Sequence, residues 1–110
     1  MNVAFSTDAG ATWTAPIAVH DERPLGRVDI ELLSGDAALV SWLETGRRRA
    51  EVRMRRVERS GGVGRSSRVT YSSEARSSGF PRMVRVGDEL VFAWTETGEN
   101  GGVRVAASRF

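Results

Sequence analysis

The feature that most constrains this chain is an internal repeat. The stretch GDAALVSWLETG at 35–46 returns as GDELVFAWTETG at 87–98, so Trp42 and Trp94 lie 52 positions apart in matching contexts. Other pairs at the same spacing are Phe5 with Val57, Gly10 with Gly62, and Ile17 with Val69. A unit of about 50 residues therefore occurs about twice, and the fold must be built from copies of it.

Apolar residues alternate along each copy, which is typical of β-strands. In ELVFAWTE at 89–96, Val91 and Ala93 fall on one side, and Leu90, Phe92 and Trp94 on the other. The Gly-Asp pairs at 35–36 and 87–88 predict tight hairpin turns. The predicted strands are 2–6, 15–20, 28–33, 38–44, 50–58, 66–71, 81–86, 89–96 and 102–109, with no helix, so the predicted fold class is all-β.

One segment fits either a helix or a strand. In RRRAEVRMRRVER at 47–59, Ala50, Met54 and Val57 recur at helical spacing, whereas Ala50, Val52 and Met54 also alternate with charged residues. The glycine-flanked counterpart GGVRVAAS at 101–108 favours the strand. We expect the arginines of this strand to face solvent, where charge discourages edge-to-edge pairing.

Composition limits the possible functions. The chain has 110 residues, enough for one small domain, and no cysteine. All 16 basic residues are arginines and are scattered among 14 carboxylates, a pattern that reflects codon usage in a GC-rich genome and does not favour nucleic-acid binding. No membrane span is predicted and no signal-peptide pattern follows Met1, so the compartment stays open.

A short motif near the N-terminus carries a resemblance to a known family. STDAGATW at 6–13 matches the pattern SxDxGxTW, and ERSGGVGR at 58–65 keeps only the glycine, as Gly62. The motif resembles the Asp-box, or BNR repeat, of sialidase-like β-propellers. Its chemistry indicates a structural turn, in which an aspartate accepts local hydrogen bonds and a glycine adopts a left-handed conformation. The expected structural residues are Ser6, Asp8, Gly10, Thr12 and Trp13.

The resemblance implies a β-propeller fragment of about two four-stranded antiparallel blades. Residues 1–21 would end one blade, 22–73 would form a complete blade, and 74–110 a blade without its last strand. The chain would then be the C-terminal part of a larger exo-sialidase-type protein, secreted or periplasmic, and the remaining blades would be its partners.

The resemblance also indicates where a glycan would bind. The blade face opposite the Asp-box turn would carry the substrate-binding candidates, which are Arg27, Asp29, Glu44, Arg82 and Glu96. For Asp29 and Arg82, a salt bridge between blades is the favoured role. Tyr71 is the only tyrosine, but a position at the end of an outermost strand does not favour it as a sialidase nucleophile. We identify no catalytic set, and we predict no cofactor and no metal.

Two functions remain open. The first is a C-terminal fragment of a sialidase-like glycoside hydrolase or glycan-binding propeller, not expected to be catalytic alone. The alternative is a non-catalytic Asp-box module that binds a protein or a polysaccharide. Self-association through exposed sheet edges is a third possibility.

Overall fold

The computed structural model describes residues 1–73 and 80–109, which form strands and no helix. No helix in this part of the chain is therefore long and apolar enough to cross a membrane. The strands are β1 (Asn2–Val3), β2 (Ile17–Ala18), β3 (Pro24–Ser34), β4 (Ala37–Glu44), β5 (Ala50–Glu58), β6 (Ser67–Ser72), β7 (Arg82–Val86), β8 (Glu89–Glu96) and β9 (Gly102–Arg109). The predicted all-β class is confirmed.

The strands form three antiparallel sheets, and none of them closes on itself. The N-terminal sheet contains β1 and β2, the middle sheet has the order β3-β4-β5-β6, and the C-terminal sheet has the order β7-β8-β9. Sequential neighbours pair throughout, so every connection within a sheet is a hairpin.

The two predicted Gly-Asp turns are confirmed. Ser34 pairs with Ala37 across Gly35-Asp36, and Val86 pairs with Glu89 across Gly87-Asp88. Gly87 has a φ of +63°, at the first turn position, where a type II′ hairpin turn requires a left-handed residue.

The ambiguous segment is a strand, but its arginines do not all face solvent as predicted. β5 is paired on both sides, by β4 and by β6, and is therefore not an edge that needs charge protection. The side chain of Arg55 is only 10% exposed and donates to the carbonyl of Val19 and to Asp21, at 2.5 Å each. The prediction failed because the N-terminal sheet covers this face of β5.

The first two strands are shorter than predicted, and β3 is longer. The chain between β1 and β2 closes on itself through Thr14 N to Phe5 O at 2.8 Å and Phe5 N to Thr14 Oγ1 at 3.0 Å, and it becomes a turn rather than two longer strands. β3 extends towards its start through register shifts around Gly26 and Arg27, both with positive φ, as in a β-bulge.

The core consists of three clusters: the two larger ones lie on opposite faces of the middle sheet, and a smaller one contains Leu43, Ala50 and Val52. Alternation along β4 sends Val40 and Trp42 to one face and Leu39 to the other, and every residue of β4 is buried. The first cluster contains Phe5, Val19, Ala38, Val40, Trp42 and Val57. The second contains Leu39, Met54, Met83, Leu90, Phe92 and Trp94. Both repeated tryptophans therefore pack in the core.

Candidate functional site

Strand polarity brings two of the candidate residues, Glu44 and Glu96, to one end of the sheets. Pro24 at the start of β3 pairs with Glu44 at the end of β4, and Glu96 at the end of β8 pairs with Gly102. We call this the loop end. Thr14, beside the Asp-box turn, shares a surface depression with Asp36 and Arg59 at the opposite end of the middle sheet.

The Asp-box turn is held by its own hydrogen bonds. Asp8 accepts from the backbone N–H of Thr12 at 2.9 Å, from the Thr12 hydroxyl at 2.6 Å, and from the Ser6 hydroxyl at 2.8 Å. Gly10 has a φ of +87° and donates its N–H to the Ser6 hydroxyl at 2.8 Å. Trp13 donates its Nε1–H to the carbonyl of Gly10 at 3.1 Å. The predicted local hydrogen bonds and left-handed glycine are confirmed.

These bonds also set the charge state of the turn. The Thr12 hydroxyl, then the Thr12 N–H and the Ser6 hydroxyl, lower the pKa of Asp8 from 3.8 to about 2. The carboxylate is therefore ionised throughout the neutral range, with each of its oxygens used to hold the turn. This arrangement serves structure rather than chemistry.

The segment 19–23 joins β2 to β3, and we call it the N-terminal linker. A first cavity at the loop end, which we call the cleft, lies where this linker meets the middle sheet and has a volume of about 680 Å³. It is lined mostly by charged side chains. They are Asp21, Glu22, Glu44, Arg47, Glu51, Arg53 and Arg68, together with Thr45 and Gly46.

Most carboxylates of the cleft already have protein partners. Glu44, only 2% exposed, accepts from Trp42 Nε1 at 2.5 Å and from the backbone N–H of Glu22 at 2.8 Å. Glu51 pairs with Arg53 at 2.6 Å and with Arg68 at 3.6 Å. A ligand in the cleft would have to compete with these contacts.

Asp21 is committed in the same way. The Ser66 hydroxyl, 2.5 Å away, and then the Arg55 guanidinium hold the pKa of Asp21 below its usual value. The Asp21 carboxylate therefore connects the N-terminal linker to Arg55 on β5 of the middle sheet and to Ser66, which directly precedes β6.

A second cavity, the groove, lies between the ends of the middle and C-terminal sheets and has a volume of about 270 Å³. Tyr71 lies on β6, an edge strand, as predicted, and its side chain lies beneath two cations. The guanidinium carbon of Arg49 is 4.4 Å from the ring centroid, and that of Arg68 is 4.3 Å away. Apart from Arg49 and Tyr71, the residues that line the groove are Ser72, Ser73, Thr95, Glu96 and Thr97.

Glu96 gives the groove one carboxylate in a fixed position. It accepts from Trp94 Nε1 at 3.4 Å and from Arg104 Nε at 3.2 Å, and it is only half-buried. The bond from tryptophan to glutamate is thus made in both copies of the repeat.

The cleft and the groove occupy the same place in successive copies of the repeat. Asp21, Glu44 and Thr45 line the cleft, and the residues 52 positions later, Ser73, Glu96 and Thr97, line the groove.

The remaining candidates lie on the first strands of the middle and C-terminal sheets. Asp29 Oδ2 accepts the backbone N–H of Met83 at 2.8 Å and pairs with Arg82 Nε at 3.5 Å. The predicted salt bridge is therefore present between neighbouring sheets. Arg27 lies in a left-handed conformation with its guanidinium 5.7 Å from the ring of Phe80.

The structure thus distributes the five predicted binding residues over three places. Glu44 lines the cleft, Glu96 lines the groove, and Arg27, Asp29 and Arg82 lie along the first strands. Sequence reasoning missed Arg49 and Arg68. Arg49 directly precedes β5 and reaches Tyr71 because β5 pairs with β6, whereas Arg68 lies on β6 itself, three residues before Tyr71. Residues 74–79, the start of the predicted last blade at 74–110, lie outside the described residues.

Within residues 1–73 and 80–109, no group of three or more histidine or acidic side chains is arranged to hold a metal ion. Comparison of the chain with protein-family models, with curated proteins and with solved structures gives no significant match.

Proposed function

We propose that this chain is a non-catalytic module that binds a saccharide, and that the groove is its binding site. The observation that carries the proposal is the arrangement of Arg49 against the ring of Tyr71 beside a row of hydroxyl side chains. The ring keeps the guanidinium group of Arg49 in place, so its N–H donors lose little conformational freedom when a ligand binds.

The lining of the groove suits a ligand rich in hydroxyl and acidic groups. Ser72, Thr95 and Thr97 can donate to and accept from sugar hydroxyls, and the carboxylate of Glu96 can accept from them. Arg49 adds a cation that favours a carboxylate or another anionic substituent. The cleft is larger, but its Glu44 is almost fully buried and its Glu51 and Asp21 are held by arginines, whereas Glu96 of the groove is paired with Arg104 but remains half-exposed, so the cleft is the weaker candidate.

The geometry around Tyr71 supports binding rather than hydrolysis. Its cross-strand neighbour Glu51 is held by Arg53 and Arg68, and these ion pairs compete with any role of Glu51 as a base for the Tyr71 hydroxyl. A sialidase-like hydrolase would need such a tyrosine–glutamate pair.

We further propose that the three sheets are parts of propeller blades bounded at 1–21, 22–73 and 74–110, in a larger sialidase-like protein. The support is the Asp-box turn, the repeat, and a four-stranded middle sheet whose strands follow sequence order. The remaining blades and a glycan or glycoconjugate would be its partners.

Calorimetric titration of the full chain with sialyllactose, and with lactose as the neutral counterpart, tests the binding site. Because the groove volume is near the lower limit for small-molecule sites, we expect a dissociation constant of about 1 mM for the acidic sugar. The variant Arg49→Gln should weaken binding about ten-fold.

The matched control is Arg59→Gln, which removes a partly exposed arginine at the opposite end of the middle sheet, where it pairs with Asp36. It should bind as the wild type does. Equal losses in both variants, or no binding of either sugar, would contradict the proposal. If the wild type hydrolyses a fluorogenic sialoside and Tyr71→Phe does not, the proposal of a non-catalytic module is wrong and the groove is a catalytic site.

A further inference from the structure

The loop at 45–49, which joins β4 to β5, presents three consecutive arginines, and we call it the arginine loop. Arg47, Arg48 and Arg49 are all exposed. Within the described ranges 1–73 and 80–109, no carboxylate pairs with any of the three, whereas the arginines on the neighbouring strands β5 and β6 are all paired with carboxylates. The arginine loop therefore carries positive charge that this part of the chain does not compensate.

The repeat shows that a loop at this place does not need arginine. Positions 45–50 read TGRRRA, and positions 97–102 read TGENGG. Glu99, Asn100 and Gly101 therefore stand where the arginines stand, in a loop that joins β8 to β9 in the same way. A preference for arginine over lysine does not explain three cations in only one of the two loops.

The arginine loop is held in a tight conformation. A Cβ atom on Gly46 would collide with the backbone carbonyl oxygen of Arg49, so the close approach of these two residues requires glycine. The guanidinium group of Arg49 is also held against the ring of Tyr71. Because the backbone and one side chain are already ordered, the loop loses less conformational freedom when a ligand binds.

The arginine loop adjoins the groove. A third cavity, of about 370 Å³, is lined by Arg48, Arg49, Ala50, Ser72 and Ser73. It shares Arg49 and both serines with the groove, while Arg47 lines the cleft on the other side of the loop. A chain-like ligand that leaves the groove past Arg49 therefore reaches Arg48 next and then Arg47.

We propose that the arginine loop extends the groove into a binding site for a linear acidic oligosaccharide with a carboxylate on successive sugars. This inference rests on the proposed saccharide site and names the class of its ligand. The planar guanidinium forks of the loop match carboxylates. In the groove, Glu96 can accept from sugar hydroxyls, whereas the phosphodiester backbone of a nucleic acid offers it no donor.

Calorimetric titration of the full chain with digalacturonate and with hexagalacturonate tests the inference. The hexamer can reach Arg48 and Arg47 from the groove and the dimer cannot, so two further exposed ion pairs should make the hexamer bind about ten-fold more tightly at low salt. Arg48→Gln should weaken binding of the hexamer about three-fold. Raising the salt concentration to about 200 mM should reduce the advantage of the hexamer over the dimer.

Arg65→Gln is the matched control, because Arg65 is also exposed and has no carboxylate partner among the described residues, but lies in the connection from β5 to β6. It should bind both oligomers as the wild type does. This comparison separates contacts with the arginine loop from the larger number of ways in which a longer chain can enter the groove.

Four results would overturn the inference. Equal losses in Arg48→Gln and Arg65→Gln would show a response to net charge alone, and hexamer binding unchanged in Arg48→Gln would show that the loop makes no contact. Tighter binding of a single-stranded oligothymidylate than of hexagalacturonate would indicate a nucleic-acid surface. If the dimer binds and the hexamer gains nothing, this inference fails alone; if no acidic sugar binds, the proposed saccharide site fails with it.

Discussion

The two copies of the Trp-x-Glu strand have the same local sequence and different surroundings. Around Glu44 both faces of the sheet are covered, and the carboxylate is almost fully buried between Trp42 and the Glu22 N–H. Around Glu96 one face is open, and the carboxylate is half-exposed in the groove. The comparison teaches that the same motif can be buried by packing in one sheet and left open to solvent in the next, depending on what covers it.

The largest expected difference between the two copies concerns the tryptophans. Trp42→Phe should destabilise the chain by about 3 kcal/mol, because it leaves a cavity and removes a donor from a buried carboxylate. Trp94→Phe also leaves a cavity in the core, but it should cost less, about 2 kcal/mol, since its bond to Glu96 is 3.4 Å long and water can replace it. Urea unfolding at equilibrium measures both values. Equal losses of stability in the two variants would mean that Trp42 and Trp94 are buried to the same extent in solution.

The glutamates should show the same contrast on a smaller scale. In Glu44→Gln only one of the two oxygens remains, so either the Trp42 or the Glu22 N–H faces an amide donor, at a cost of about 1–2 kcal/mol. Glu96→Gln should change stability by less than about 0.5 kcal/mol, because the side chain is open to water. Thermal unfolding of the two variants provides the measurement. A larger loss of stability for Glu96→Gln than for Glu44→Gln would contradict the view that Glu44 is the carboxylate used for packing.

The comparison also shows what the sequence can and cannot specify. Alternation and the repeat were sufficient to place the strands, the Gly-Asp turns and the buried tryptophans, because these depend on local periodicity. The burial of Arg55 depends on Asp21, which is 34 positions away and is brought near only when the N-terminal sheet docks.

The groove was missed for a related reason. Arg49 meets Tyr71 through the pairing of β5 with β6, and Arg68 reaches the same ring from β6 itself, beside the register shift between Val52 and Arg53. Periodicity assigns a side chain to one face of a strand, but it does not identify the cross-strand neighbour when a bulge intervenes.

The smallest expected effect concerns the turns, where the intact motif at 6–13 contrasts with its degenerate copy at 58–65. Asp8 has a lower pKa in the folded chain than its ordinary value of 3.8, so its contribution to stability is complete above about pH 4 and is lost as the pH falls towards 2. Ser60 stands at the equivalent position of the degenerate turn and cannot titrate. The stability difference between the wild type and Asp8→Asn should therefore shrink between pH 4 and pH 2, whereas that between the wild type and Ser60→Ala should stay constant. Urea midpoints across this range measure both differences, and a gap for Asp8→Asn that is the same at both ends would show that the carboxylate charge does not stabilise the turn.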